Sequence, residues 1–446
     1  MPRSRYTPLL FLAIVLSRDM TAAAWPRGAT DRLAPRAYLD MPHRADGKIP
    51  ALLSQTGALR DTRNLVPAAG LVPYDLVVPF WSDGADKLRW AAIPNGKILF
   101  SPTGEWAFPN GTVFIKTFVL PTDALNPAAT RRLETRLLVR DSVGGVYGAD
   151  YKWRPDNSDA DLLTDSLTEE ITLKGASGTP QKQTWYYPSR QDCLTCHNVK
   201  AGLVLGVKTR QMNRAFTYSD GIAQNELLAW NHLGLFTPIK DVDLAALPTL
   251  AAANDTSRTL QDRARSYLDA NCSQCHRPGG TVAYFDARYT TAVEQQELIN
   301  GPILLDQGID KPRVISPHDT WRSIAFMRVN TSADGKMPPI GRETIDQKGV
   351  QLLREWILSL PGRAVLDPPN ISPQGGTFDG SVEVSLTQSE PGADIRYTLD
   401  GSVPAISDPR YEKPIKLSSP AVLRTRAFKA GFTGSITAQQ VFIVGK

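Results

Sequence analysis

Leu260-Gln-Asp-Arg-Ala-Arg-Ser-Tyr-Leu-Asp-Ala-Asn-Cys-Ser-Gln-Cys-His276 reads as an amphipathic helix running into a C-x-x-C-H motif. Leu260, Ala264, Tyr267 and Leu268 recur at helical spacing, and Cys272, Cys275 and His276 follow. The same pattern stands upstream at Cys193-Leu-Thr-Cys196-His197. The two motifs use all 4 cysteines of the chain. C-x-x-C-H is the attachment pattern for c-type haem. Two thiols at this spacing bond the porphyrin vinyl groups, and the adjacent histidine reaches the iron. A zinc site would need ligands beyond one histidine per pair. A thioredoxin-like site has one C-x-x-C beside a βαβ unit, and disulfides would not call for two histidines. The expected cofactors are therefore two covalently attached haems, held by Cys193, Cys196, Cys272 and Cys275, with His197 and His276 on the irons.

The sixth iron ligands follow less directly. Met337 lies 61 residues after His276, in Lys336-Met337-Pro338-Pro339. The two prolines fix an extended loop that can present a thioether. Thr344-x-x-Gln347 then opens a further helix with Val350, Leu353, Trp356, Ile357 and Leu360 on one face. Helix, motif, methionine loop and terminal helix stand in an order that resembles a class I cytochrome c domain. Met327, in apolar surroundings, is the alternative to Met337. At the first motif, His232, Met212 and Met41 compete, and an iron without a sixth protein ligand is a fourth reading. A methionine opposite histidine raises the reduction potential, whereas an open position permits ligand chemistry.

Outward from the motifs the pattern changes to strands. Thr112–Leu120, Arg132–Val139 and Val146–Trp153 alternate, and Val143-Gly144-Gly145 reads as a hairpin turn. Asp83 and Asp86, in Phe80-Trp-Ser-Asp-Gly-Ala-Asp86, are a candidate cation pair with capping as the plainer reading. Beyond Asp367-Pro-Pro369 short strands return at the spacing of a small β-sandwich. At the other end, Arg3 and Arg5, the apolar run Leu9–Leu16 and Thr21-Ala-Ala-Ala24 have the layout of a secretory signal. It predicts a periplasmic or secreted protein. No stretch is long enough to span a membrane, and a net charge of +5 without a basic block gives no nucleic-acid patch.

Two resemblances extend this reading. Ile395-Arg-Tyr-Thr-Leu-Asp-Gly-Ser-Val-Pro404 and Leu423-Arg-Thr-Arg-Ala-Phe-Lys-Ala-Gly431 resemble the chitobiase/β-hexosaminidase C-terminal domain, an immunoglobulin-like accessory module without glycosidase activity. Pro50–Gly57, Gly70–Tyr74, Trp81–Ala85, Arg265–Gly280 and Met337–Pro339 resemble a family of bacterial dihaem c-type cytochromes of largely unknown function. That second resemblance implies His232, which precedes Leu-Gly-Leu-Phe236, as the ligand at the first motif in preference to Met212.

The expected organisation is a signal peptide (1–24), a β-rich N-terminal domain (25–187), a first haem domain (188–257), a second, class I-like haem domain (258–365) and a β-sandwich (366–446). The fold class is thus an antiparallel β domain, a mostly α dihaem cytochrome region and an immunoglobulin-like sandwich. The expected function is electron transfer to a redox partner protein such as a periplasmic dehydrogenase. The rivals are a dihaem peroxidase or oxidase, and a surface protein whose C-terminal module binds polysaccharide.

Overall fold

The structure is a computed structural model and describes residues 38–94, 96–239 and 243–445. The expected signal peptide lies outside the described residues. A short ribbon, β1 (Leu59–Asp61) and β2 (Val66–Pro67), precedes a six-stranded antiparallel sheet. That sheet is a meander of β3 (Val72–Pro73), β4 (Asp86–Ala92), β5 (Val113–Pro121), β6 (Thr130–Arg140), β7 (Val146–Trp153) and β8 (Ala160–Leu162) in chain order. The hairpin β9 (Leu167–Lys174) and β10 (Pro180–Tyr187) follows it.

Alternation sorts the side chains of the large sheet onto two faces. Trp90, Ile115, Leu137, Ala149 and Tyr151 pack on one face with Met41 and Leu53. The other face is apolar along one row, where Ala91, Phe114 and Leu138 oppose one another. The next rows on that face are charged. Arg89 pairs with Lys116, Lys116 with Arg136, and Arg136 with Asp150; beside them run Lys87, Phe118, Glu134 and Lys152. A charged ladder inside a two-sided sheet is unusual, because burying charge costs free energy unless something pairs with it.

After the sheet come α1 (Arg190–Cys196), α2 (Thr209–Met212), the ribbon β11 (Ala215–Thr217) and β12 (Ala223–Asn225), and α3 (Glu226–His232). Leu227, Trp230 and Met212 of this stretch share one core with Trp106, Phe108 and Phe114 of the β region. Next are α4 (Leu260–Cys272), α5 (Ile324–Val329) and α6 (Gln347–Ser359). Tyr267 and Leu268 of α4 pack with Leu353, Trp356 and Ile357 of α6. Gly349 sits where the two helices cross: a Cβ there would fall 2.4 Å from the Tyr267 ring.

The fold class needs correction. Strand exceeds helix, 30% against 15%, and the middle of the chain is not mostly α. Among the described residues there are six α-helices, and four of them have seven residues or fewer. Between α4 and α5 the described chain holds no α-helix. The reason is local. Pro278, Pro302, Pro312 and Pro317 interrupt it, and Glu297, Asn300, Gln307, Lys311 and His318 take positive φ, which ends helical hydrogen bonding.

The C-terminal strands form two sheets. One is β13 (Asn370–Ser372), β15 (Val382–Thr387) and β17 (Ile415–Leu417); the other is β14 (Gly376–Asp379), β16 (Asp394–Thr398), β18 (Ala421–Phe428) and β19 (Ala438–Gly445). Val384, Leu386 and Leu417 meet Ile395, Leu423 and Phe442 between them. Arg322 anchors this unit to the rest by donating to the carbonyls of Gly434 and Ser435 at 3.1 and 3.2 Å.

Candidate functional site

The two C-x-x-C-H motifs share one backbone arrangement. Ser189 caps α1 through a reciprocal bond with Asp192, so Cys193 and Cys196 fall on the last turn, one turn apart on the same side. The His197 amide donates to the Cys193 carbonyl at 2.9 Å. At the second motif Thr259 caps α4, and the His276 amide donates to the Cys272 carbonyl at the same 2.9 Å. In both, one helical turn holds two thiols and delivers the histidine four residues after the first cysteine.

The fold then brings the motifs together. The thiols of Cys196 and Cys275, 79 residues apart in sequence, are in hydrogen-bond contact, which holds the Cys275 pKa down and drives the Cys196 pKa up. Asp269, buried on α4, secures the junction. It accepts from Arg210 at 2.8 Å, pairs with Lys208 at 3.1 Å and takes the Tyr289 amide at 3.0 Å. Burial alone would raise its pKa; Lys208 and Arg210 overcome that and hold it below the usual carboxylate range. Glu105 meets Arg277, directly after the second motif, at 3.2 Å.

A cavity of about 190 Å³, open to solvent at its mouth, lies between α1, α4 and the charged sheet face. Cys193, Cys196 and His197 line it on one side and Lys87, Arg89, Lys116 and Arg136 on another. Gly148 on β7 lets α1 approach: a Cβ there would be 2.7 Å from the Cys193 sulfur.

The histidines suit metal ligation. Burial pushes both down to about 4, so each imidazole is neutral at pH 7. His197 Nδ1 lies 2.7 Å from the Leu203 carbonyl, which sets the tautomer and leaves Nε2 as the ligating nitrogen. His276 stacks on Phe285 with ring centroids 4.2 Å apart, and its buried Nδ1 has no hydrogen-bond partner among the described residues. Two thiols and a buried, neutral imidazole on one helical turn at each motif, with the first motif lining a cavity, fit covalent haem.

Among the proposed sixth ligands, the half-buried Met337 stands on a loop tied to α5. Its amide donates to the Arg328 carbonyl at 2.9 Å, and Arg328 lies near enough to His276 to lower the histidine pKa further. Arg342 pins the loop by donating to the carbonyls of Met337, Arg328 and Thr331 at 3.0, 2.9 and 2.8 Å. Asp83 braces it from the β region, accepting the Glu343 and Thr344 amides at 2.8 and 2.7 Å. Asp83 is therefore a structural clamp, and Asp86 is exposed at the start of β4. Met327 is half-buried on α5. At the first motif the candidates are not brought together. His232 is exposed at the end of α3, Met212 is fully buried in the core with Trp230, and Met41 packs on the opposite face of the sheet. None of the three lines the cavity.

Sequence reasoning missed the cationic wall, whose residues are scattered over three strands and converge only through register. Its one visible trace is the Lys or Arg at alternate positions in Lys87-Leu-Arg89 and at Lys116 inside otherwise apolar strands.

Comparison with known proteins reaches the C-terminal unit. Among the curated proteins and among the solved structures, nothing matches this chain. The descriptions cytochrome and haem-binding, expected for the body, therefore gain no support from relatives, and the β-rich fold removes the helical cytochrome region. The expectation of a metal-binding centre is corrected too: among the described residues, no three His, Cys, Asp or Glu side chains gather around a point that could hold a metal ion by themselves. Residues 373–439 match the chitobiase/beta-hexosaminidase C-terminal domain family, so the β-sandwich is similar to an accessory module compatible with carbohydrate binding.

Proposed function

We propose that this chain is an exported electron-transfer protein carrying two covalently attached haems. The observation that carries this reading is the pair of C-x-x-C-H turns with matching backbone geometry, their inner thiols Cys196 and Cys275 in contact. Cys193 and Cys196 would hold one haem with His197 as an iron ligand; Cys272 and Cys275 would hold the other with His276 and Met337 as its iron ligands. When bound, haem supplies one-electron chemistry at a potential set by its ligands and surroundings. The chain's own part is to fix the pair. Asp269, Lys208 and Arg210 lock α4 to the segment after the first motif, Arg342 and Asp83 hold the methionine loop, and Leu203 orients His197.

A second reading, a dihaem peroxidase or oxidase, is favoured by one observation: neither His232, Met212 nor Met41 reaches the cavity beside His197. Export rests on the N-terminal pattern, and no helix among the described residues is long and apolar enough to cross a membrane. The redox partner would be a protein such as a periplasmic dehydrogenase, with the C-terminal module holding polysaccharide.

An optical redox titration of the purified protein, repeated on the reduced form with carbon monoxide, tests the reading. Two low-spin haems indifferent to carbon monoxide support an electron carrier. One carbon-monoxide-binding haem moves the enzyme reading to first place. A protein without haem absorption refutes both.

A further inference from the structure

The cavity wall facing Cys193 and His197 carries a cluster of cations, two of them lysines outside any ion pair among the described residues. Arg89 is paired with Asp75, and Arg136 with Glu134 at 2.5 Å. Lys208 and Arg277 are engaged by Asp269 and Glu105. Asp192, the remaining lining carboxylate, is taken by Ser189 and Tyr186. Two cations are left over. Lys87 donates to the Ala85 carbonyl at 3.2 Å, and among the described residues neither Lys87 nor Lys116 is in a salt bridge; the carboxylates that act on them at longer range are Asp86 for Lys87 and Glu134 for Lys116, and the buried Asp150 faces Arg136. Their ammonium groups converge on one ring, 5.8 and 5.1 Å from the centre of Phe118, with the Arg136 guanidinium 4.5 Å from it. Burial, with the neighbouring cations adding to it, pushes both lysines down to about 7. Such a cluster is costly as it stands and calls for an anion.

The place of the cluster says which anion. Cys193 packs against Gly148 on β7, and Lys116 stands two strands away on β5. At about 4.8 Å per strand and about 3.4 Å per residue, the Lys116 backbone is roughly 12 Å from Gly148, two residues along from its row; Lys87, on β4 and in the next row, lies further out with its side chain directed back to the Phe118 ring. A porphyrin tethered through its vinyl edge presents its two propionate carboxylates from the opposite edge, about one ring-width from the thiols. The apolar row Phe114 and Leu138, also lining the cavity, lies alongside to receive the ring. We propose that Lys87 and Lys116 bind the propionate carboxylates of the haem attached at Cys193 and Cys196. The inference rests on that attachment. Charge-assisted bonds from ammonium to carboxylate inside a cavity are stronger than their exposed counterparts.

The test is the double variant Lys87→Gln/Lys116→Gln beside the wild type and Lys87→Arg/Lys116→Arg. Haem per chain is measured as the pyridine haemochrome, and both midpoint potentials by spectroelectrochemistry. The expected result is two haems in all three proteins, a lower potential for one haem in the glutamine variant, and its recovery in the arginine variant. Removing positive charge favours the oxidised, more positive iron, which fixes the direction of the shift. Unchanged potentials with two haems bound would overturn the assignment. So would a high-spin spectrum in Lys116→Gln, which would make the amine an iron ligand. A wild-type chain without haem would instead overturn the attachment reading itself, an outcome read before any variant is made. If the glutamine variant loses a haem, the arginine variant decides: recovered haem and potential support the pairing, and loss in both overturns it.

Discussion

Replacing Asp269 with alanine should destabilise the protein severely without touching either motif. The carboxylate is 1% exposed and serves the Arg210 guanidinium, the Lys208 ammonium and the Tyr289 amide. Breaking a buried ion pair by deleting one partner costs about 3–5 kcal/mol, because the other charge stays buried and unpaired. Here two cations are orphaned, but Glu105 remains 3.7 Å from Lys208 and 3.9 Å from Arg210 and can accept part of the load. The expected loss is therefore about 3–5 kcal/mol rather than twice that. Urea denaturation at pH 7, followed by tryptophan fluorescence, measures it. The second change Lys208→Met should return part of the loss by removing one orphaned charge. The pH dependence carries the same signature. The folded Asp269 pKa lies below its unfolded value of about 3.9, so this stabilisation is complete above pH ~5 and disappears as the pH falls through the folded value. The alanine variant should lack that component of acid destabilisation. A loss below about 1 kcal/mol, or no recovery from Lys208→Met, would refute the reasoning.

Other outcomes follow from named contacts. Gly349→Ala should destabilise by about 1–3 kcal/mol despite alanine's better helix propensity, since the new methyl meets the Tyr267 ring; thermal unfolding that is unchanged or improved would contradict the helix crossing. Glu169 is held down to about 2 by Arg131, Tyr187 and Lys152 against the opposing effect of burial. Its stabilisation is present above about pH 4.5 and lost as the pH falls toward 2, so Glu169→Gln should flatten that acid limb in urea titrations across pH 2–5. Met337→Ala should lower one midpoint potential or turn one haem high-spin; an unaltered spectrum and potential would remove Met337 from the iron. Deleting residues 366–446 should abolish retention on chitin or cellulose resin if the module binds polysaccharide, and retention that persists would place any such binding elsewhere.

Local patterns were the legible part of this chain. The strand alternation around Thr112–Leu120 and the helical spacing around Leu260 and Val350 are short-range, and β5, α4 and α6 form where those periods run. The motif turns were legible for the same reason, since four residues fix them. The prolines between α4 and α5 are visible in the sequence, but the positive-φ residues that keep this stretch from being helical are not. What escaped the sequence is whatever depends on register or docking. The meeting of Cys196 with Cys275 needs Asp269 and Lys208 to close across the fold. The convergence of Lys87 and Lys116 on Phe118 needs β4 and β5 in one register. His232 shows the limit from the other side: a histidine on a short helix says nothing of which way that helix is turned, and here it faces out.

The most direct test of the central claim is the intact mass of the chain after expression in a host that exports it and attaches haem. The account predicts a mass increase of two haems on the processed chain, falling to one haem in Cys193→Ala/Cys196→Ala and in Cys272→Ala/Cys275→Ala. A wild-type mass equal to the bare polypeptide, with four alkylatable thiols, would contradict it.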